Sequence, residues 1–260
     1  MNFQFVDPWH LFLPREGGHV VGISGSGGKT SLLRRLAEHY LQEQVPVVLT
    51  TTTRTEPLAG IRPVGWDDLE RAVGGGEPCF LRSGVSEDGK WLGPDRDQVD
   101  RLGERLPDHV VLAEVDGAAK KPLKFYRAAE PVWPARTSLA LVVAGLQGMD
   151  EPAGQVVYRF GREPFAPLAD LTPQTLWNWD HLHALLTGPG GYLDRVPAGV
   201  PAVMALAGMG QVGDSIGLFE FMGRVMRDER VPLAMFCELT GDERSLRTVC
   251  RTEDPEGGRE

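Results

Sequence analysis

Lysine is nearly missing from this sequence. Of its 27 Lys and Arg residues only five are lysine, namely Lys29, Lys90, Lys120, Lys121 and Lys124, and none follows Lys124. Where arginine is the default cation, a lysine marks a place that needs a compact ammonium rather than a planar fork. For Lys120 and Lys121 a solvated loop is the equal alternative. Excess positive charge is missing as well. A formal net charge of −9 argues against non-specific nucleic-acid or membrane-surface binding, which need clustered cations, and leaves small molecules and proteins as partners. The three cysteines, Cys79, Cys237 and Cys250, are odd in number, far apart and without metal-ligand spacing. They read as buried thiols in a reducing compartment. No apolar run of about 18 residues is present to span a bilayer. The opening stretch, MNFQFVDPWHLFLPREGG, has neither the basic start nor the long apolar stretch of a secretory signal. A cytoplasmic protein is expected.

What is present is an alternation of buried-strand and amphipathic-helix patterns. HVVGIS (19–24), VPVVLT (45–50), HVVLAEVD (109–116) and SLALVVAG (138–145) read as strands, with a helix over 30–44 whose apolar stripe is Leu32, Leu33, Leu36, Ala37 and Tyr40. Continuous apolar strands of this kind are covered on both faces. The expected fold is α/β and P-loop NTPase-like, a mostly parallel sheet with helices on both faces. One domain is expected over residues 1–252, with a β-hairpin insertion at about 78–93, a helical insertion at about 158–196 and a disordered tail at 253–260.

The run GSGGKT (25–30) stands between a strand and a helix, the context that a phosphate-binding loop requires. Its glycines let backbone N–H groups approach phosphate oxygens closely, and the helix N-terminus adds its dipole. Gly25, Ser26, Gly27, Gly28, Lys29, Thr30 and Ser31 form the candidate nucleotide loop. Lys29 would neutralise the outer phosphates and the Thr30 hydroxyl would ligate Mg²⁺. The spacing departs from the strict pattern, because Ile23 stands where its first glycine belongs, and is similar to the variant loop of the Mur ligases.

Such a loop also needs a metal-organising carboxylate at the end of a neighbouring strand. Glu114 and Asp116 are two apart at the carboxyl end of a buried strand, so they share a face and are both candidates. Thr51 and Thr52, within TTTTR (50–54), are expected near the γ-phosphate, with Arg54 stabilising charge on the transferred group. Lys121 and Lys124, in the loop after Asp116, would clamp an anionic ligand. Guanine readers of this class carry a lysine after a late strand. Its absence points to ATP, or to an unusual GTP site. His181 and His183, two apart on a predicted helix, face different sides and make no zinc pair.

Four stretches, VVGISGSGGKTSLLRRLA, TTTTR, VVLAEVDGAAKKPLKFYRAAEPVWP and VVAGLQGMD, together resemble the YqeC family of selenium-dependent molybdenum hydroxylase accessory proteins. The resemblance runs from about Gly18 to Leu239. It implies a P-loop NTPase fold and a role in maturing a molybdenum-cofactor hydroxylase, with that enzyme or another maturation protein as partner. It also implies functional weight at Gly25, Gly28, Lys29, Thr30, Thr51, Thr52, Glu114, Asp116, Gly117, Pro122, Lys124, Glu130, Pro131 and Pro134. A His-Arg pair of the family stands here as Tyr158-Arg159. The expected activity is Mg²⁺-dependent nucleoside triphosphate hydrolysis. The alternatives are a phosphotransferase acting on a small anionic acceptor and a non-catalytic nucleotide-binding scaffold.

Overall fold

Strands β1 (Phe3–Val6), β2 (Val20–Gly25), β3 (Val47–Thr51), β4 (Arg54–Thr55), β5 (Arg62–Val64), β6 (Cys79–Leu81), β7 (Gly84–Val85) and β8 (Trp91–Leu92) fill the first part of the chain. They are followed by β9 (Val110–Glu114), β10 (Leu123–Lys124), β11 (Thr137–Gly145), β12 (Val157–Tyr158), β13 (Ala202–Ala207), β14 (Leu233–Cys237) and β15 (Leu246–Arg251). The helices are α1 (Lys29–Gln42), α2 (Leu69–Val73), α3 (Arg96–Arg105), α4 (Ala153–Val156), α5 (Trp179–Thr187) and α6 (Ser215–Val225). This is a computed structural model describing residues 3–6, 12–208, 210, 212–231, 233–237 and 246–251. The tail expected at 253–260 lies outside the described residues, as do the side chains of Cys237 and Cys250.

Among the described residues one ten-stranded sheet has the order β1-β15-β14-β13-β11-β2-β9-β3-β6-β5. From β5 to β14 every pairing is parallel, and β15 runs antiparallel to both β14 and β1. The chain leaves β2 through α1 to β3 on one side, returns to insert β9, and then crosses to β11 on the other side. The carboxyl end of β2 is therefore the crevice where ligands collect in open α/β sheets.

Helices cover both faces. Odd and even positions of one strand serve opposite cores: Leu139, Leu141 and Val143 of β11 meet α1, whereas Ala140, Val142 and Ala144 meet α5 and α6. On α1, Leu32, Leu33 and Leu36 are fully buried, each contributing about 1.5–3 kcal/mol by leaving water. A third cluster places α2 and α3 under β9 and β6. The fold is α/β, a mostly parallel sheet sheathed on both sides. No helix among the described residues is long and apolar enough to cross a membrane.

One strand differs from expectation. Cys79 was expected to open the hairpin, but Cys79–Leu81 is β6 of the central sheet, parallel to β3 through Val48↔Cys79 and Leu49↔Phe80. Its three side chains are all buried, which only a strand covered on both faces allows. The hairpin proper joins β7 to β8 around Gly89, and β4 adds to it as a third antiparallel strand. The Cys79 thiol is free, and burial pushes its pKa up to about 11.

Candidate functional site

At the end of β2 the backbone is pressed against β11. Gly25 has φ 96° and Gly27 φ 79°. A Cβ on Gly25 would stand 2.0 Å from the Val143 carbonyl oxygen, and one on Gly27 2.5 Å from Gly145 Cα. Only glycine fits either position. Between them Ser26 is buried, its N–H donating to Val143 O at 2.9 Å and its hydroxyl meeting the Tyr192 hydroxyl at 3.0 Å. The Ser26 side chain thus ties the loop to the protein, a correction to its expected place among ligand contacts. Helix α1 starts at Lys29 with no side-chain cap and no acidic residue in its first turn. Its positive end therefore opens onto a cavity of about 600 Å³ whose lining includes Gly27, Gly28, Lys29, Thr30 and Ser31.

Lys29 does not point freely into that cavity. Its ammonium donates to Gly25 O at 2.7 Å and lies 3.0 Å from Asp116 Oδ1 and 3.4 Å from Glu114 Oε1. Burial alone would lower the lysine pKa, but the two carboxylates outweigh it and hold the group above its ordinary value. Burial, reinforced by neighbouring Asp116, raises the Glu114 carboxyl above the usual carboxylate range despite Lys29. Asp116 is fully buried. Its Oδ2 accepts from the Gly25 N–H at 2.8 Å and faces Lys124 Nζ at 3.1 Å.

The expected anion clamp is rearranged. Lys124 is fully buried, donating to Gly117 O at 3.0 Å and pairing with Asp116 and, at 3.4 Å, Glu130, with its ammonium 4.3 Å from the Tyr126 ring centre. Burial lowers its pKa, and Lys29 adds to that effect. It cannot grip a ligand because its three donors face protein. Lys121 does line the cavity, bonded to Gln155 O. Glu130 receives a two-pronged contact from Arg159, at 2.6 and 2.8 Å. A chain of alternating charge thus runs Lys29–Asp116–Lys124–Glu130–Arg159, with both of its ends on the cavity wall. Tyr192 braces its middle by bonding the Lys124 backbone N–H at 2.9 Å.

The threonine run is corrected too. Thr51 donates to Glu114 O at 2.7 Å and Thr52 to Val132 O at 2.8 Å, so neither hydroxyl lines the cavity. Thr53 and Thr55 do line it, and Thr55 donates to Glu114 Oε2 at 3.2 Å. Arg54 reaches the cavity from an exposed position, 3.9 Å from Asp88.

All five lysines of the chain meet here. Lys29, Lys90, Lys120 and Lys121 line the cavity, and Lys124 stands one ion pair behind. With Arg54, Arg127 and Arg159 the wall carries seven cations against Glu56, Glu114 and Glu130, a cationic focus in a chain of net charge −9. Magnesium favours oxygen ligands and retains waters. Thr30 and Glu114 face the cavity and offer such oxygens, and the Lys29 ammonium between Glu114 and Asp116 marks the spot as suited to a cation. Among the described residues no three His, Cys, Asp or Glu side chains gather to hold a metal ion, so a metal at Thr30 and Glu114 would complete its shell with water or a bound ligand. Asp116, with Lys29, Gly25 N–H and Lys124 around its oxygens, is placed to orient rather than to ligate. Arg159, Thr53, Thr55 and Lys90 line the cavity wall and Tyr192 supports it from behind, places the sequence does not assign to them; for Lys90 the scarcity of lysine is a usable signal.

The family described as YqeC protein matches residues 21–161. The uncharacterized protein YqeC of Escherichia coli (strain K12) is 29% identical over 229 residues, 84% of this chain and 88% of that protein. Among solved structures, chloroplast FtsY from Physcomitrella patens aligns at a TM-score of 0.39 and 15% identity, over 86% of this chain and 60% of its own. That likeness is too loose to bear on function.

Proposed function

The chain belongs to the YqeC family, and from that premise we propose that it binds a Mg²⁺-associated nucleoside triphosphate, ATP in preference to GTP, and hydrolyses it. The observation that carries this reading is the uncapped start of α1, opening with the glycine-rich loop onto a cation-lined cavity. Amides at 27–30 would bind phosphate oxygens, and Lys29 would exchange its contacts with Asp116 and Glu114 for phosphate. Thr30 and Glu114 would hold the metal, which supplies charge neutralisation when bound. Asp116 fixes the Gly25 amide and Lys29 in position. Ala207 and Gly208, at the end of β13, also line the cavity and offer a wall for the base. No lysine follows them, in keeping with adenine.

Service to the maturation of a molybdenum-cofactor hydroxylase rests on the resemblance of the motifs to the family. A phosphotransferase reading is favoured by the surplus of cations beyond the loop. Calorimetric titration of Mg–ATP and Mg–GTP, with phosphate release followed with and without added acceptor, tests these assignments. Absence of binding by either nucleotide would overturn the proposal.

A further inference from the structure

Three cations of the cavity wall stand apart from the glycine-rich loop. Arg54 belongs to β4, Lys90 lies just before β8, and Lys120 follows Asp116. They converge on two carboxylates. Lys90 and Lys120 each place Nζ 3.8 Å from Glu56 Oε1, while Lys90 and Arg54 lie 3.2 and 3.9 Å from Asp88 Oδ2. All but one of these contacts are at the limit of ion pairing, and the Lys120 side chain is 82% exposed. Such pairs hold their partners weakly, so an incoming anion competes well for them. The backbone directs Lys120 at some cost: Ala119 at φ 47° and Lys120 at φ 60° are consecutive non-glycine residues in left-handed geometry, a strain that clusters at ligand clamps. In an arginine-rich chain the choice of lysine at two of the three positions favours a compact anion over a planar one.

We infer that Arg54, Lys90 and Lys120 form a second anion subsite that takes a phosphate group carried by a small molecule, beside the phosphates held by the glycine-rich loop. Thr55, the neighbour of Arg54, bonds the Glu114 carboxylate, so this subsite adjoins the carboxylate that faces the first. The inference deepens the nucleotide reading and rests on it for the identity of the neighbouring ligand. The subsite's own residues lie outside the loop.

The test is a calorimetric titration of inorganic phosphate, at constant ionic strength, into protein saturated with magnesium and a non-hydrolysable ATP analogue. Wild-type protein is expected to bind one phosphate per chain. The variant Lys90→Ala/Lys120→Ala is expected to bind it about tenfold more weakly, with affinity for the analogue within about twofold. No phosphate binding by the saturated wild type, or equal binding by the variant, overturns the subsite. Loss of analogue affinity in step with phosphate affinity also overturns it, by assigning both lysines to the triphosphate. Should the wild type fail to take the analogue, the nucleotide reading fails by itself. Phosphate titrated into the free protein then decides the subsite: weakening in the variant supports it and equal binding refutes it.

Discussion

Lys29 stands 3.0 Å from Asp116, with both groups almost entirely removed from solvent. The same carboxylate meets Lys124 at 3.1 Å through its other oxygen. One aspartate therefore joins the start of α1 to the segment that carries Lys124. A ligand that draws Lys29 away leaves Asp116 to Lys124 and the Gly25 amide.

Asp116→Asn should destabilise the fold by about 3 kcal/mol or more, because two buried ammonium groups lose their shared charge. Urea unfolding of variant and wild type measures this. A loss below about 1 kcal/mol would mean that the carboxylate is not the hub of the buried network.

Lys29→Ala should weaken Mg–ATP binding by at least about tenfold, since a charge-assisted contact to phosphate disappears. Calorimetry on protein shown by circular dichroism to be folded reads the change. Unaltered affinity would remove Lys29 from the nucleotide site.

Thr51→Val and Thr55→Val should behave differently. The first loses a buried bond to Glu114 O and is expected to cost about 1–2 kcal/mol of stability, with nucleotide affinity kept. The second removes the hydroxyl that lowers the Glu114 pKa, so the carboxyl should rise further. If Glu114 holds the metal, the onset of Mg²⁺-dependent binding then moves to higher pH than in wild type. Binding isotherms collected across the acid range compare the two variants.

Glu130 predicts an acid response. Burial alone would raise its carboxyl, yet the Arg159 bonds and Lys124 bring it below the ordinary value of 4.5. Its stabilising contribution is therefore complete above pH 4.5 and fades as pH falls through the lower folded value. Glu130→Gln should show a smaller loss of stability on acidification than wild type. Unfolding midpoints recorded against pH provide the check, and parallel curves would refute the assignment.

The phosphate-loop signature and the Glu114–Asp116 spacing were legible because glycine content, strand context and period-two alternation are local properties. Thr51 and Thr52 misled because the run crosses from the central sheet into the small β4–β8–β7 sheet, and the change of partner carries no sequence mark. Lys124 reads as an anion clamp because the protein groups that occupy it lie elsewhere: Asp116 eight residues before it, and Tyr192 68 residues after it. Arg159 keeps the arginine of the family's His-Arg pair, with Tyr158 in place of the histidine, but its bond to Glu130 spans 29 residues and carries no local mark. Cys79 was assigned to the hairpin because a three-residue apolar stretch is too short to display its partners.

The gathering of every lysine at one cavity has a practical consequence for chemical footprinting. Reagents that acylate side-chain amines can mark this chain only around that cavity, so peptide masses after labelling would report occupancy without any engineered probe. Lys120, the most open of the five, should react first, and Lys124, walled in behind Asp116, last.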